Sequence, residues 1–389
     1  MSVTAPKGFR AAGVVAGLKA SGAADVALVV NDGPATAAAG VFTANRVQAA
    51  PVRWSRQVLR VGALRAVVLN SGGANACTGP AGFQDTHATA EHVAATLTKA
   101  GGTGVGAGEV AVCSTGLIGE RLPMDKLLAG VDAAVAALSA DAGPAAAEAI
   151  MTTDTRSKTV VIDGAGWRVG GMAKGAGMLS PAMATMLCVL TTDALADAAD
   201  LDAALHAACR TSFDRIDSDG CLSTNDTVLL LASGASGVTP SVEELTAAVT
   251  AACADLARQL IADAEGASKE IAIEVLGAAS EADAVQVGRA VARNNLVKTA
   301  LFGNDPNWGR ILAAVGTTSA AFDPDQLDVA INDVWICRDG AAAAPRDQVD
   351  LTGRQVHIRV DLHAGTDTAT IWTNDLSHAY VHENSAYST

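Results

Sequence analysis

The sequence has no excess of positive charge. Lys and Arg together number 27, against 41 Asp and Glu, so the formal net charge is −14 at pH 7. A chain with this acidic balance generates no field that would attract nucleic acid or an anionic membrane. Half of its 389 residues are hydrophobic, which is ample for two domains or one large layered fold. We therefore expect its partners to be small molecules or further copies of the chain, with no nucleic acid and no membrane.

Cysteine pairs of the kind that bind zinc or form a redox dithiol are also missing. The seven cysteines are an odd number and are widely scattered, and no two of them form a CxxC pair. We interpret them as reduced, mostly buried thiols, which predicts a cytoplasmic protein. An apolar run at residues 11–18 is not followed by a convincing cleavage site, so secretion is not predicted.

The short motifs of several enzyme classes are absent as well. There is no GxSxG nucleophile elbow and no HExxH zinc motif, and Lys174-Gly175 reverses the residue order of a phosphate-binding loop. Residues 217–220, DSDG, superficially resemble part of a calcium loop. Alignment of Gly220 with the turn glycine of such a loop places Arg215 at the first ligand position, which argues against calcium. We expect no bound metal.

Segments typical of strands and helices alternate along both halves of the chain. Short apolar runs that end at turns predict strands at residues 27–30, 64–70, 159–164, 225–231 and 269–276. Alanine-rich segments predict helices at residues 86–100, 124–138, 193–210, 241–263 and 280–293. A capping box, Ser241-x-x-Glu244, opens the fourth helix. The C-terminal residues predict a β-hairpin of 356–362 against 369–373. This alternation predicts an α/β layered architecture with sheets inside and helices outside.

The stretch KGAGMLSPAMATMLCVL, residues 174–190, contains one cation, Lys174, and no other charge. Its uncharged part reaches the length of a membrane span. Two glycines and Pro181 make a lipid-facing helix unfavourable, however, so we predict a buried strand that is entered through a turn.

Thr185 lies in the middle of this apolar stretch. Most buried threonines are core residues with satisfied hydrogen bonds. The residues before Thr185 are small, however, and they leave the carbonyl of Ala184 sterically open. A threonine hydroxyl becomes an effective nucleophile when the chain is cut immediately before it, because the freed α-amine can take its proton. That amine has a pKa of about 8, which suits proton transfer near neutral pH.

The block MAKGAGMLSPAMATMLCVLTTDA, residues 172–194, closely resembles the self-cleavage site of the ornithine acetyltransferase (glutamate N-acetyltransferase, ArgJ) family of arginine biosynthesis. Further blocks resemble the same family and follow in the expected order along essentially the whole chain. They are LNSGGANACTG (69–79), CSTGLIGERLP (113–123), AIMTTDT (149–155), STNDTVLLLASG (223–234), DAEGASK (263–269), VKTALFGNDPNWGRILAAVG (297–316) and HENSAYST (382–389). A match of this extent is far more specific than any single motif.

The resemblance implies a catalytic role for several residues. It implies that Thr185 is the nucleophile and that cleavage of the Ala184-Thr185 bond frees it. It also implies an oxyanion hole made by the Thr115 hydroxyl and the Gly116 backbone N–H, donors that stabilise a developing negative charge.

Other residues are implied to bind substrate. Lys174 resembles the cation that receives a substrate carboxylate, and the pocket is further lined, with Thr185, by Thr152, Glu265, Asn384 and Thr389. Thr153 is the alternative to Thr152, because the two adjacent threonines differ by one register. Glu265 has a simpler alternative as a surface acid.

The fold and assembly are implied in the same way. The family implies a self-processing αββα sandwich of the N-terminal-nucleophile type (DmpA/ArgJ-like). Residues 1–184 would form an α chain and residues 185–389 a β chain, assembled as an α2β2 heterotetramer.

The implied reaction moves an acetyl group from N2-acetyl-L-ornithine to L-glutamate through an acetyl-Thr185 intermediate, with no cofactor. Some members of the family also accept acetyl-CoA as a donor. Two alternatives stay open. One is a related self-processing aminopeptidase or amidohydrolase, in which water replaces glutamate. The other is a non-catalytic binding protein on the same scaffold.

Overall fold

A computed structural model describes residues 2–101, 104–180 and 186–386 of the chain. Its strands are β1 (Phe9–Val14), β2 (Val26–Asn31), β3 (Ala38–Phe42), β4 (Ala66–Ser71), β5 (Val110–Thr115), β6 (Lys158–Asp163), β7 (Arg168–Lys174), β8 (Leu187–Thr192), β9 (Thr227–Ala232), β10 (Glu270–Ala278), β11 (Asp328–Ile331), β12 (Val334–Arg338), β13 (Ala341–Ala342), β14 (Gln355–Asp361) and β15 (Asp367–Asn374). Its helices are α1 (Ala50–Val58), α2 (Gly79–Lys99), α3 (Met124–Ala136), α4 (Gly143–Ala149), α5 (Ala198–Thr211), α6 (Val242–Ala262), α7 (Glu281–Ala292), α8 (Asn295–Phe302), α9 (Trp308–Val315) and α10 (His378–Ala386).

Two sheets form the centre of the molecule. The first has the strand order β1-β2-β4-β5, and the second has the order β3-β9-β8-β7-β6. Each sheet contains one parallel pair, β4 with β5 and β8 with β9, and its other neighbours are antiparallel. The strands β2, β4, β5, β8 and β9 are buried at every position. Their nearly continuous apolar sequences therefore reflect sheets that are covered on both faces.

The side chains of β8 show how the layers stack. Leu187 and Val189 pack in a core that also contains the apolar residues of the first sheet. Cys188 and Leu190 point to the opposite face, into a core formed with α5 and α6. Helices α2 and α3 pack against the strands of the first sheet. The layers are thus helix, sheet, sheet and helix, and the predicted α/β layered fold and its αββα sandwich are confirmed.

A third sheet lies in the C-terminal part of the chain. Its order is β13-β12-β11-β14-β10-β15, and its core contains α7, α8 and α9. The prediction of a C-terminal hairpin is wrong. Strands β14 and β15 form at the expected positions, but β10 lies between them, parallel to β14 and antiparallel to β15. Strand β10 forms backbone hydrogen bonds with a strand on each of its two edges. It is distant in sequence from β14 and β15, so the hairpin pattern of those two strands gave no sign that β10 lies between them.

The other predicted elements are present with shifted ends. The capping box at the start of α6 is confirmed, because the Ser241 hydroxyl accepts from the Glu244 N–H at 3.2 Å and the Glu244 carboxylate accepts from the Ser241 N–H at 2.9 Å. Helix α5 begins at Ala198 rather than at residue 193. The reason is that Asp197 caps it by accepting from the N–H of Asp200 at 2.9 Å.

The uncharged stretch enters the fold as predicted, through a loop up to Ser180 and then strand β8. Among the described residues, α6 is the helix whose length and composition would allow it to cross a membrane, and half of its apolar window is buried inside the molecule. Five of the seven cysteines are buried, and Cys77 and Cys221 are exposed.

Candidate active site

The oxyanion candidates lie where β5 ends in the first sheet. Thr115 is the last residue of β5 and is buried, and it pairs with Ser71 of β4. Gly116 follows with φ of 128°, a conformation that favours glycine. A Cβ atom at this position would lie 2.6 Å from the backbone nitrogen of Gly73. Glycine is therefore required for the backbone to approach the turn at residues 72–73 this closely.

Lys174 reaches the same place from the second sheet. It is the last residue of β7, and only 2% of its surface is exposed, so its side chain is buried inside the molecule. Its Nζ donates to the hydroxyl of Thr152 at 2.7 Å and to the hydroxyl of Thr115 at 3.2 Å. An ammonium group can only donate, so it uses a lone pair of Thr115 and leaves the hydroxyl hydrogen of Thr115 available to another acceptor.

A buried acid compensates the charge of Lys174. Burial lowers the pKa of Lys174 below its usual value of 10.5, and the carboxylate of Asp154 opposes this shift. Burial alone would raise the pKa of Asp154, but the cations of Lys174 and Lys158 outweigh it and lower that pKa to about 2. Asp154 is thus ionised at neutral pH and keeps a negative charge beside the buried ammonium.

Asp154 also fixes the backbone of two pocket segments. Its carboxylate accepts from the N–H of Thr152 at 3.0 Å and from the N–H of Gly175 at 2.7 Å. Lys158, which is wholly buried, lies 2.6 Å from both Asp154 and Asp263. This network of Asp154, Lys158 and Asp263 connects the backbone at Thr152 and Gly175 to the C-terminal end of α6. The chain continues from that end of α6 to Glu265.

Glu265 is a pocket residue and not a surface acid. Its carboxylate accepts from the hydroxyl of Thr153 at 2.7 Å and from the side-chain amide of Asn384 at 2.9 Å. Its N–H donates to the carbonyl oxygen of Ala176 at 3.0 Å. A Cβ atom added to Gly177 would lie 2.5 Å from the Glu265 carboxylate, so the glycine leaves the space that the acid occupies.

One cavity brings together most of the residues selected from the sequence. Its lining includes Thr115, Gly116, Thr152, Thr153, Lys174, Glu265 and Asn384. Both threonines of the uncertain pair therefore line it, Thr152 beside Lys174 and Thr153 beside Glu265. Three further predicted residues, Ala184, Thr185 and Thr389, lie outside the described residues.

The sequence reading missed one side of the cavity. Ser223, Thr224 and Asn225 line it directly before β9. The side-chain amide of Asn225 donates to the carbonyl oxygens of Ala74 and Ser114, at 2.7 and 2.8 Å, and so joins β9 to the end of β5. Five consecutive polar residues, 223–227, directly before the apolar run at 228–232 were the signal that could have identified this segment.

The calcium-like loop is used by the protein itself. The Asp217 carboxylate accepts from Arg293 at 2.7 Å, and the Asp219 carboxylate accepts from the N–H groups of Cys221 and Leu179, each at 3.1 Å. Within residues 2–101, 104–180 and 186–386, no group of three or more His, Cys, Asp or Glu side chains is arranged to hold a metal.

Comparison with known proteins identifies the family of the chain. The ArgJ family matches residues 10–389. The arginine biosynthesis bifunctional protein ArgJ of Streptomyces avermitilis is 68% identical over 388 residues, covering 100% of both chains. The protein of the same name from Mycobacterium tuberculosis is 61% identical and covers 99% of this chain and 96% of its own. A solved ornithine acetyltransferase from Mycobacterium tuberculosis, in complex with ornithine, is 66% identical over 48% of this chain and 96% of its own, with a TM-score of 0.46. The chain therefore belongs to the ArgJ family.

Proposed function

We propose that this protein is an acetyltransferase of arginine biosynthesis that moves the acetyl group of N2-acetyl-L-ornithine to L-glutamate. The observation that carries the proposal is the contact of the buried Lys174 ammonium with Thr115, in a cavity that also contains Glu265. An acetylated amino acid requires three kinds of group in its binding site: a cation that binds its carboxylate, a hydrogen-bond donor that stabilises the oxyanion, and an acid that binds its amine.

The first chemical step is cleavage of the chain itself. The hydroxyl of Thr185 attacks the carbonyl carbon of Ala184, the C–N bond between them breaks, and the nitrogen takes a proton to become a free α-amine. Water then hydrolyses the resulting ester, which leaves residues 1–184 and 185–389 as two chains and restores the hydroxyl. Thr185 is thereby an N-terminal residue with its own base.

Acetyl transfer uses the same hydroxyl twice. Thr185 attacks the acetyl carbonyl, its α-amine takes the hydroxyl proton and passes it to the departing N2 amine, and ornithine leaves. The neutral amine of glutamate then attacks the acetyl ester, N-acetylglutamate forms, and the proton returns to the hydroxyl of Thr185. No group beyond the chain and its two substrates takes part in this exchange.

The positions of the residues around the cavity support a separate role for each of them. Thr115 and the Gly116 N–H stabilise the oxyanion of each tetrahedral intermediate, and Lys174 receives the α-carboxylate that both substrates share. Glu265, held by Thr153 and Asn384, receives the side-chain amine of ornithine. Thr152 holds Lys174 in place. The substrate-binding role of Thr389 rests on the family resemblance alone.

The second sheet supports a stable pair of chains after the cut. Strand β7 pairs with β8 along its length, and β3 pairs with β9, so strands from both sides of residue 184 share one sheet. The two fragments would remain a single folded body. We propose that two such pairs form an α2β2 heterotetramer, which light scattering on the cleaved protein tests.

Two further parts of the proposal concern the donor and the compartment. The relatives are named bifunctional, which supports acetyl-CoA as a second acetyl donor to Thr185. An assay with acetyl-CoA and glutamate, without acetylornithine, tests this directly. The free thiols, five of them buried, support a cytoplasmic location.

The rival hydrolase differs only in the second acceptor. If water took the acetyl group, acetylornithine alone would give ornithine and acetate continuously, whereas the transferase requires glutamate for more than one turnover. A binding protein would neither cleave nor turn over.

The experiment combines the mass of the purified protein with a product assay. We expect two fragments, N-acetylglutamate as product and little acetate. Thr185→Ala should remain uncut and inactive, whereas Thr185→Ser should cleave and turn over more slowly. An uncut wild-type chain with full activity would contradict the proposal.

A further inference from the structure

The strand pairing of the second sheet ends at an unusual contact beside residue 185. Strands β8 and β9 run parallel, with Leu187 opposite Thr227. The ladder continues for one more bond, in which the N–H of Thr227 donates to the carbonyl oxygen of Met186 at 3.2 Å. The N–H of Met186 then donates to a side chain, the Asp226 carboxyl oxygen Oδ1, at 3.0 Å. A carboxyl group thus takes the place of the next backbone acceptor.

Asp226 is rigidly placed and wholly buried. Its exposed fraction is 0%, and its carbonyl oxygen accepts from the N–H of Thr43 in the neighbouring segment at 3.0 Å. Its second carboxyl oxygen, Oδ2, has no hydrogen-bond partner among the described residues. Backbone N–H groups of two other segments thus hold both the carboxyl group and the carbonyl oxygen of Asp226.

The charge state of this carboxyl follows from its surroundings. Burial raises the pKa of Asp226 well above its usual range, and the N–H of Met186, the hydroxyl of Ser223 and the cation of Lys174 oppose the shift only in part. Burial therefore disfavours the ionised form of this carboxyl group, and Oδ1 can accept from the Met186 N–H in either protonation state.

We propose that Asp226 is a positioning residue for the nucleophile, holding the peptide group that joins Thr185 to Met186. The nitrogen of Met186 is bonded to the carbonyl carbon of Thr185, so the contact of Asp226 with the Met186 N–H restrains the peptide plane that these two residues share. The inference rests on the proposed role of Thr185 and adds a residue to which the family resemblance assigns no role.

The test compares three substitutions at Asp226. Asp226→Asn retains a side-chain acceptor of the same shape and should cleave and turn over within about threefold of wild type. Asp226→Leu has a similar size but no acceptor, so it should cleave slowly and lose kcat by about tenfold to a hundredfold, the effect of a slightly misplaced nucleophile. The KM for acetylornithine should change by less than about threefold, because Asp226 does not line the cavity. Asp226→Ala carries the same expectation if the leucine variant fails to fold.

A matched control separates positioning from stability. Asp328 in the third sheet is also buried and accepts from a backbone N–H, that of Asp339, at 2.9 Å. Asp328→Leu should lower the melting temperature and leave kcat unchanged.

Two results would overturn the inference. One is a folded Asp226→Leu protein with normal cleavage and normal kcat. The other is an Asp226→Asn protein as impaired as the leucine variant, which would indicate that an ionised carboxylate acts as a base. An uncut wild-type protein, or an active Thr185→Ala protein, would instead refute the proposed function itself.

Discussion

The Nζ of Lys174 lies 3.2 Å from the hydroxyl oxygen of Thr115, and these two residues end strands in different sheets of the sandwich. In the mechanism that we propose, the contact joins the cation that binds the substrate carboxylate to the donor that stabilises the oxyanion. Because Lys174 donates, it also polarises the Thr115 hydroxyl toward further donation. The packing of the two sheets brings both side chains into the lining of one cavity.

Thr115→Val tests the oxyanion donor. The substitution preserves shape and removes the hydroxyl, so we expect kcat to fall about a hundredfold or more, as for other single oxyanion donors. Steady-state kinetics with acetylornithine and glutamate measure this. Thr89→Val is the control, because Thr89 is also buried but its hydroxyl donates within α2 to the carbonyl oxygen of Asp85. Equal losses in the two variants would indicate a stability effect only.

The pH dependence of the reaction should report on Lys174. Its pKa is lowered by burial, so the charged form is lost at a pH below the usual 10.5. We expect kcat/KM for acetylornithine to fall as the pH rises through that lowered pKa. Lys174→Arg, which stays charged, should have a lower rate but no such alkaline limb. A wild-type rate that is flat up to pH 10.5 would contradict the assignment.

Gly177→Ala tests the space around Glu265. The new Cβ atom would lie 2.5 Å from the carboxylate, so Glu265 must move away from Thr153 and Asn384. We expect the KM for acetylornithine to rise by about tenfold, with a smaller change in kcat. Gly108→Ala is the control, because a Cβ atom there meets nothing within 4 Å. Normal KM values in a folded Gly177→Ala protein would show that the position of Glu265 is unimportant for binding.

Lys158→Met tests the buried ion network. Removal of the cation leaves the carboxylates of Asp154 and Asp263 buried without their partner, and loss of one partner in such a network commonly costs about 3 to 5 kcal/mol of unfolding free energy. Urea denaturation measures the loss. Lys126→Met, at an exposed lysine of α3, should cost less than about 1 kcal/mol. A variant as stable as wild type would mean that the two acids become protonated without penalty.

The same network should make the free energy of unfolding depend on pH in the acid range. The pKa of Asp154 in the folded protein is about 2, below its usual value of 3.8, so the folded state binds its proton more weakly than the unfolded chain does. Its contribution to stability is complete above the usual pKa and is lost as the pH falls from about 4 toward 2. The free energy of unfolding should therefore fall less between about pH 4 and pH 2 in Asp154→Asn than in the wild-type protein.

The sequence supported the layered fold because its strands are short apolar runs with clear turns, and α6 has an unambiguous capping box. The cavity residues Thr115, Lys174 and Glu265 were recognisable only through their family blocks. As isolated residues they look like a turn threonine, a loop lysine and a surface acid. Partners distant in sequence could not be predicted, since register is set by tertiary packing. The placement of β10 between β14 and β15 is one example.

Asp226 is a second example of a residue whose surroundings could not be predicted from the sequence. In the sequence it is one polar residue before an apolar strand, and nothing in its neighbours marks it as wholly buried. Its contact with the Met186 N–H depends on the register of β8 against β9, which fixes which residue of one segment faces which residue of the other. Such a contact is visible only once the sheet is formed.

The most direct test of the central claim is the mass of the fragment that begins at Thr185 after the cleaved enzyme is mixed with acetylornithine alone. We predict that ornithine is released about once per site and that this fragment gains the mass of one acetyl group, which glutamate then removes as N-acetylglutamate. Double-reciprocal plots for the two substrates should correspondingly be parallel. An unmodified fragment together with converging plots would mean direct transfer between bound substrates, and Thr185 would not carry the acetyl group.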